Sequence, residues 1–168
     1  MMNIGREPGE DADDAAPVEM LAQLFEAHGW PCEFVNDDEI CGEIQGSWAT
    51  YQLRGIWRSE DNVLQLLCLP EIRVPDAKRK AAYELLALVN EQLWLGHFDL
   101  WKEDGLLLYR NGLLLAGADT HVGQCEALLK AALEACERYY QSFQFVLWAG
   151  KSPEDALAAT LLETQGQA

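Results

Sequence analysis

The chain has 168 residues, with 12 Lys and Arg against 28 Asp and Glu and a formal charge of −16 at pH 7. Its length suits one domain with a core that needs no covalent staples, and 49% hydrophobic with 10% aromatic residues excludes a wholly disordered chain. The excess of acid excludes nucleic acid and anionic membrane as partners, because their binders gain affinity by neutralising phosphate with Lys and Arg.

Residues 1–16 hold Glu7, Glu10, Asp11, Asp13 and Asp14 against Arg6, too few apolar side chains to repay the entropy of ordering. They are expected to form a disordered acidic leader. A basic opening and an apolar run are both missing there, so it does not read as a secretory signal. A single ordered domain is expected over 17–165.

Pro17 suits a first helical position, where its missing N–H costs nothing. Val18, Leu21, Leu24 and Phe25 follow at helical spacing and Gly29 can stop the helix, which predicts helix one over 17–28. The period then changes. Cys41 to Ile44 precedes a Gln45-Gly46 turn. Ala49, Tyr51, Leu53 and Trp57 alternate with polar residues, and Val63 to Leu69 is almost wholly apolar. Three strands with short linkers favour antiparallel neighbours.

Pro75 opens a second helix, with Ala82, Leu85, Leu86, Val89 and Leu93 as its apolar stripe. Gly96 breaks it before a strand beginning at His97, and Glu103-Asp104-Gly105 turns the chain into another at Leu106–Asn111. Asp119 or Thr120 is the expected cap of the last long helix, 122–148. At 1.5 Å per residue that helix spans about 40 Å, longer than the ~30 Å expected across the domain. Ser152-Pro153-Glu154-Asp155 starts a short terminal helix. The order α-β-β-β-α-β-β-α plus a small helix predicts an α+β fold with helices against one antiparallel sheet.

Reactive machinery is not legible. The five cysteines, Cys32, Cys41, Cys68, Cys125 and Cys136, lack a Cys-x-x-Cys pair and sit among apolar neighbours, as buried thiols do. His28, His97 and His121 lie far apart in sequence from each other and from the cysteines, so no metal ligand set stands out. The glycine signatures of nucleotide binding and the Gly-x-Ser-x-Gly elbow are missing. Paired acids such as Asp37-Asp38-Glu39 fall in predicted turns. No stretch approaches the ~18 uncharged apolar residues of a spanning helix, and a cytoplasmic protein is expected. Six Trp, five Tyr and five Phe fit two readings equally, a heavily aromatic core or a surplus displayed on a protein-binding surface.

Several segments carry a resemblance. Trp30-Pro31, Asp37-Asp38-Glu39-Ile40, Ser47-Trp48-Ala49-Thr50-Tyr51, Asn90-Glu91-Gln92-Leu93-Trp94-Leu95-Gly96-His97-Phe98, Cys136-Glu137-Arg138-Tyr139-Tyr140 and Phe143 to Pro153 together resemble the YbjN-domain family. The resemblance covers roughly 17–165 and implies a bacterial sensory-transduction regulator with a fold similar to type III secretion chaperones. Chaperones of that shape are commonly homodimers that hold extended client segments. The family defines no catalytic residues, and no cofactor or metal is expected from the residues themselves.

The resulting expectation is a non-enzymatic, cytoplasmic, protein-binding regulator or chaperone-like adaptor, acting as a homodimer. Trp94, Phe98 and Trp101 are expected in or near the subunit contact. The alternative is a small-molecule binder or enzyme with a pocket near His97, using Lys78, Arg79 and Lys80 as polar groups.

Overall fold

The computed structural model of the chain describes residues 16–116 and 119–165. The leader expected at 1–16 lies outside the described residues except for Ala16. Four helices, α1 (Pro17–Ala27), α2 (Arg79–Gln92), α3 (Val122–Leu147) and α4 (Pro153–Gln165), combine with six strands. The strands are β1 (Cys32–Asn36), β2 (Glu39–Gln45), β3 (Thr50–Arg58), β4 (Val63–Leu69), β5 (His97–Leu100) and β6 (Leu107–Leu114). They form one sheet in the order β1-β2-β3-β4-β6-β5, antiparallel at every step.

The α+β class, the antiparallel sheet and the helix positions agree with the sequence reading. The difference is one more strand: the first meander has four, not three. Four of the five residues of β1 are exposed, so it lacks the alternation of buried and wet positions by which half-buried strands are recognised.

Period two explains how the sheet carries two unequal faces. Leu64, Leu66 and Cys68 of β4 point into the main core with Leu53, Leu107 and Tyr109, beneath apolar residues of all four helices. Leu67 and Leu69, the alternate positions, join Leu108 in a smaller cluster on the helix-free face, with Ile56, Trp101 and Leu106 packed beside it. An antiparallel sheet tolerates one such uncovered face.

Three local contacts fix the helices. The cap of α3 is His121, not Asp119 or Thr120: its side chain accepts from the backbone of Gln124, whose own side chain accepts from the His121 N–H, a reciprocal capping box. The β2–β3 turn is clamped to α3, because Glu137 Oε1 accepts the Ser47 N–H at 2.9 Å and the Glu137 carbonyl accepts Trp48 Nε1 at 3.1 Å. Gly46 is required there, since a Cβ would overlap both Glu137 and the Tyr51 ring. Finally, α4 locks onto α3 through a buried hydrogen bond from Ser142 Oγ to Thr160 Oγ1 at 2.6 Å. A buried polar pair inside an apolar seam fixes how two helices register.

Candidate protein-binding site

The α2–β5 junction is built from the inside out. Phe98 is 3% exposed and rests in the core against Tyr109 and Phe143, each with ring centroids 5.4 Å away, and Tyr139 at 6.1 Å. Its N–H donates to Asn90 Oδ1 at 2.8 Å and its carbonyl accepts from Asn90 Nδ2 at 3.0 Å. One α2 side chain therefore satisfies both polar groups of this strand residue. Gly96 has φ +69°, and a Cβ there would overlap the Tyr109 hydroxyl, which donates to the Leu95 carbonyl at 3.1 Å. Positive φ and close approach both demand glycine.

The chain between these anchors turns outward. Trp94 is 99% exposed and Leu95 is 72% exposed, two large apolar side chains displayed on a turn pinned from below. Exposure of that kind on a held backbone is how interface anchors are presented. Trp101 lies past the far end of β5, packed on the Leu67–Leu69–Leu108 cluster. Its carbonyl accepts the Gly105 N–H at 2.8 Å.

The three residues grouped by sequence thus occupy three environments. Trp94 projects into solvent, Phe98 is part of the core beneath it, and Trp101 half-covers the helix-free face. The alternation His97, Phe98, Asp99, Leu100, half-buried against buried along β5, is a sequence signal that places Phe98 inward.

The polar groups of the small-molecule reading sit elsewhere. Arg79 lies 3.0 Å from Asp76 and donates to the Lys102 carbonyl, so it braces the start of α2 against the β5–β6 turn. His97 begins β5 at its opposite end and accepts from Arg110 Nε at 3.1 Å; Asp99 lies 3.8 Å from the same nitrogen. The length of β5, His97–Leu100, roughly 10 Å, separates His97 from the turn that Arg79 reaches, so Arg79 and His97 do not converge on one cavity.

Burial governs the thiols and phenols. Cys125 is pushed from the usual 9.0 up to about 11 by desolvation. Cys136 is raised well above that usual value, first by a hydrogen bond with Cys68 and then by burial. Tyr51 is raised by burial and then by the neighbouring Glu137 carboxylate. Raised thiols are protonated and unreactive at neutral pH. Among the described residues no three His, Cys, Asp or Glu side chains gather into a metal-binding group, and no helix is long and apolar enough to cross a membrane.

The chain was compared with known proteins. Curated proteins include no significant match. Among solved structures, YbjN from E. coli is similar at 13% identity and a TM-score of 0.47, covering 71% of this chain and 91% of that one. The ExsC–ExsE complex is similar at 14% identity and a TM-score of 0.47, covering 80% of this chain and 94% of the other. The YbjN family model, described as "Putative bacterial sensory transduction regulator", matches residues 17–145. With more than half its length and every strand of its sheet inside that match, the chain belongs to the YbjN family.

Proposed function

We propose that this protein is a non-enzymatic, cytoplasmic, protein-binding regulator or adaptor that works as a homodimer, with 17–165 as one functional domain. The observation that carries the reading is Trp94, fully exposed beside Leu95 on a turn held by Gly96, Tyr109 and Asn90. A ring of this size left in water on a rigid backbone gains most by burial against another protein. Trp94 makes the subunit contact, Trp101 flanks it across β5, and Phe98 acts from beneath by fixing the turn. Membership of a family of sensory-transduction regulators supports a regulatory rather than a catalytic role. So does the scatter of the polar groups around His97.

Sedimentation equilibrium of the full chain tests the proposal. A species of twice 18.8 kDa at micromolar concentration is expected. A monomer that persists to millimolar concentration refutes the dimer.

A further inference from the structure

The two borders of the sheet are finished differently. At β5 the outward polar groups of Phe98 are both taken by the Asn90 amide, so that border is closed to a further strand. At β1 the border is open. The Glu43 N–H donates to the Pro31 carbonyl at 3.0 Å, which turns Pro31 and, two residues on, Glu33 toward β2. The alternation of an antiparallel ladder then points the backbone groups of Cys32 and Phe34 away from the sheet. No described strand lies beyond β1.

Bare strands are ordinarily blunted by Lys, Pro, a bulge or a covering element; β1 carries neither Lys nor Pro, its register is irregular only past Phe34, and its Phe34 and Val35 are 51% and 55% exposed. The charge along β1 and β2 themselves has one sign. Residues 32–45 contain Glu33, Asp37, Asp38, Glu39 and Glu43 and no Lys or Arg; of these acids, Glu39 pairs with Arg54 of β3. Beside the strand a cavity of about 230 Å³ is lined by Glu33, Glu43, Cys41 and Gln52 among others.

We propose that β1 accepts an extended segment of a partner protein as a seventh strand, and that the segment alternates apolar and cationic residues. Backbone pairing supplies affinity, Phe34 supplies apolar contact on one face, and a Lys or Arg side chain on the other face enters the cavity between Glu33 and Glu43. A second copy of this chain is a poor occupant, because it would set the same five acids against their equivalents. The same charge argument disfavours residues 1–15, with Glu7, Glu10, Asp11, Asp13 and Asp14, as the occupant. The inference deepens the proposed function by naming the partner's chemistry, and rests on it only in taking the partner to be a protein.

The test uses the full chain and two blocked heptapeptides, one alternating Arg and Val, the other Glu and Val, with amide exchange followed by NMR. The Arg–Val peptide is expected to slow exchange at Phe34 by about tenfold or more, and the Glu–Val peptide to leave it unchanged. Phe34→Pro removes a donor the β1–β2 ladder does not use and abolishes the peptide-induced protection read at the outward Cys32 amide. Glu33→Gln with Glu43→Gln leaves the backbone intact and weakens peptide binding by about tenfold.

Equal protection by both peptides, protection located away from β1, or binding untouched by the double Gln variant overturns the inference. So does concentration-dependent protection of Phe34 without peptide, which assigns the border to a second copy. A chain that protects Phe34 yet sediments as a monomer refutes the Trp94 dimer alone. A dimer without protection refutes the strand site alone.

Discussion

Replacing Trp94 by Ala separates folding from association. In the free chain the ring is 99% exposed, so its removal forfeits almost no intramolecular contact. Surface changes of that kind stay within about 0.5 kcal/mol, or roughly 2 °C in Tm for a domain of this length. In a dimer the same ring buries about 200 Å², which at ~25 cal/mol per Å² is a gross ~5 kcal/mol per copy. Measured truncations of interface tryptophans retain about 2 kcal/mol or more of such a gross figure. A two-fold contact loses the ring twice, about 4 kcal/mol, and the dissociation constant rises by about three powers of ten. Sedimentation velocity over a concentration series, with thermal melts of the same samples at low concentration, reads both quantities. A Trp94→Ala dimer as tight as the unaltered one refutes the reasoning about the interface. A melting point lowered by more than about 5 °C at concentrations where both chains are monomeric refutes the claim that Trp94 supports no part of the fold.

Other substitutions probe the scaffold. Gly46→Ala drives a methyl into Glu137 and the Tyr51 ring and is expected to cost about 2 kcal/mol, seen as a lowered urea midpoint with an unchanged slope; an unchanged midpoint contradicts the clamp. Asn90→Ala leaves both polar groups of Phe98 without their partner and is expected to cost about 2 kcal/mol, with faster exchange at the Phe98 amide as the local readout. Native protein at neutral pH is expected to expose Cys32 and Cys41 to a thiol reagent and to withhold Cys68, Cys125 and Cys136, which are buried; rapid labelling of all five contradicts the packing. Raised thiol values also set a pH dependence. Cys125 stays protonated in the folded state up to about 11, whereas the unfolded chain releases that proton near its usual 9.0. The folded state therefore binds more protons in this window, and its stability, fully present below pH 9, falls as pH rises toward 11. Cys125→Ala is expected to flatten that decline in denaturant titrations, and an identical decline excludes this thiol as a source.

Periodicity made most of the framework legible. Pro17 opens α1 and Gly96 leads into β5, whereas Pro75 opens only a 3-10 turn over Asp76–Lys78 and α2 itself starts at Arg79. Leu85, Leu86 and Val89 form the buried stripe read from their spacing. What escaped has physical reasons. β1 buries no face, so Phe34 and Val35 leave no alternation, and Asp37-Asp38 read as turn acids without the strand they serve. The α3 cap fell to His121, whose ring does the work usually given to Asp or Thr, because the reciprocal Gln124 contact favours it. In the candidate site, composition announced many aromatics but could not sort them. Trp94 and Phe98 stand four residues apart, yet the glycine between them reverses which way the chain faces, and only the three-dimensional path separates a core ring from a displayed one.

The amide of Asn90 has a consequence for assembly. A molecule that seals one margin of its pleated layer and leaves the opposite margin bare cannot be a link in an endless chain, because growth by lamination needs both sides receptive. Whatever joins at β1 finds no second berth at β5, so strand addition stops at one guest per copy of the chain and seeds no filament.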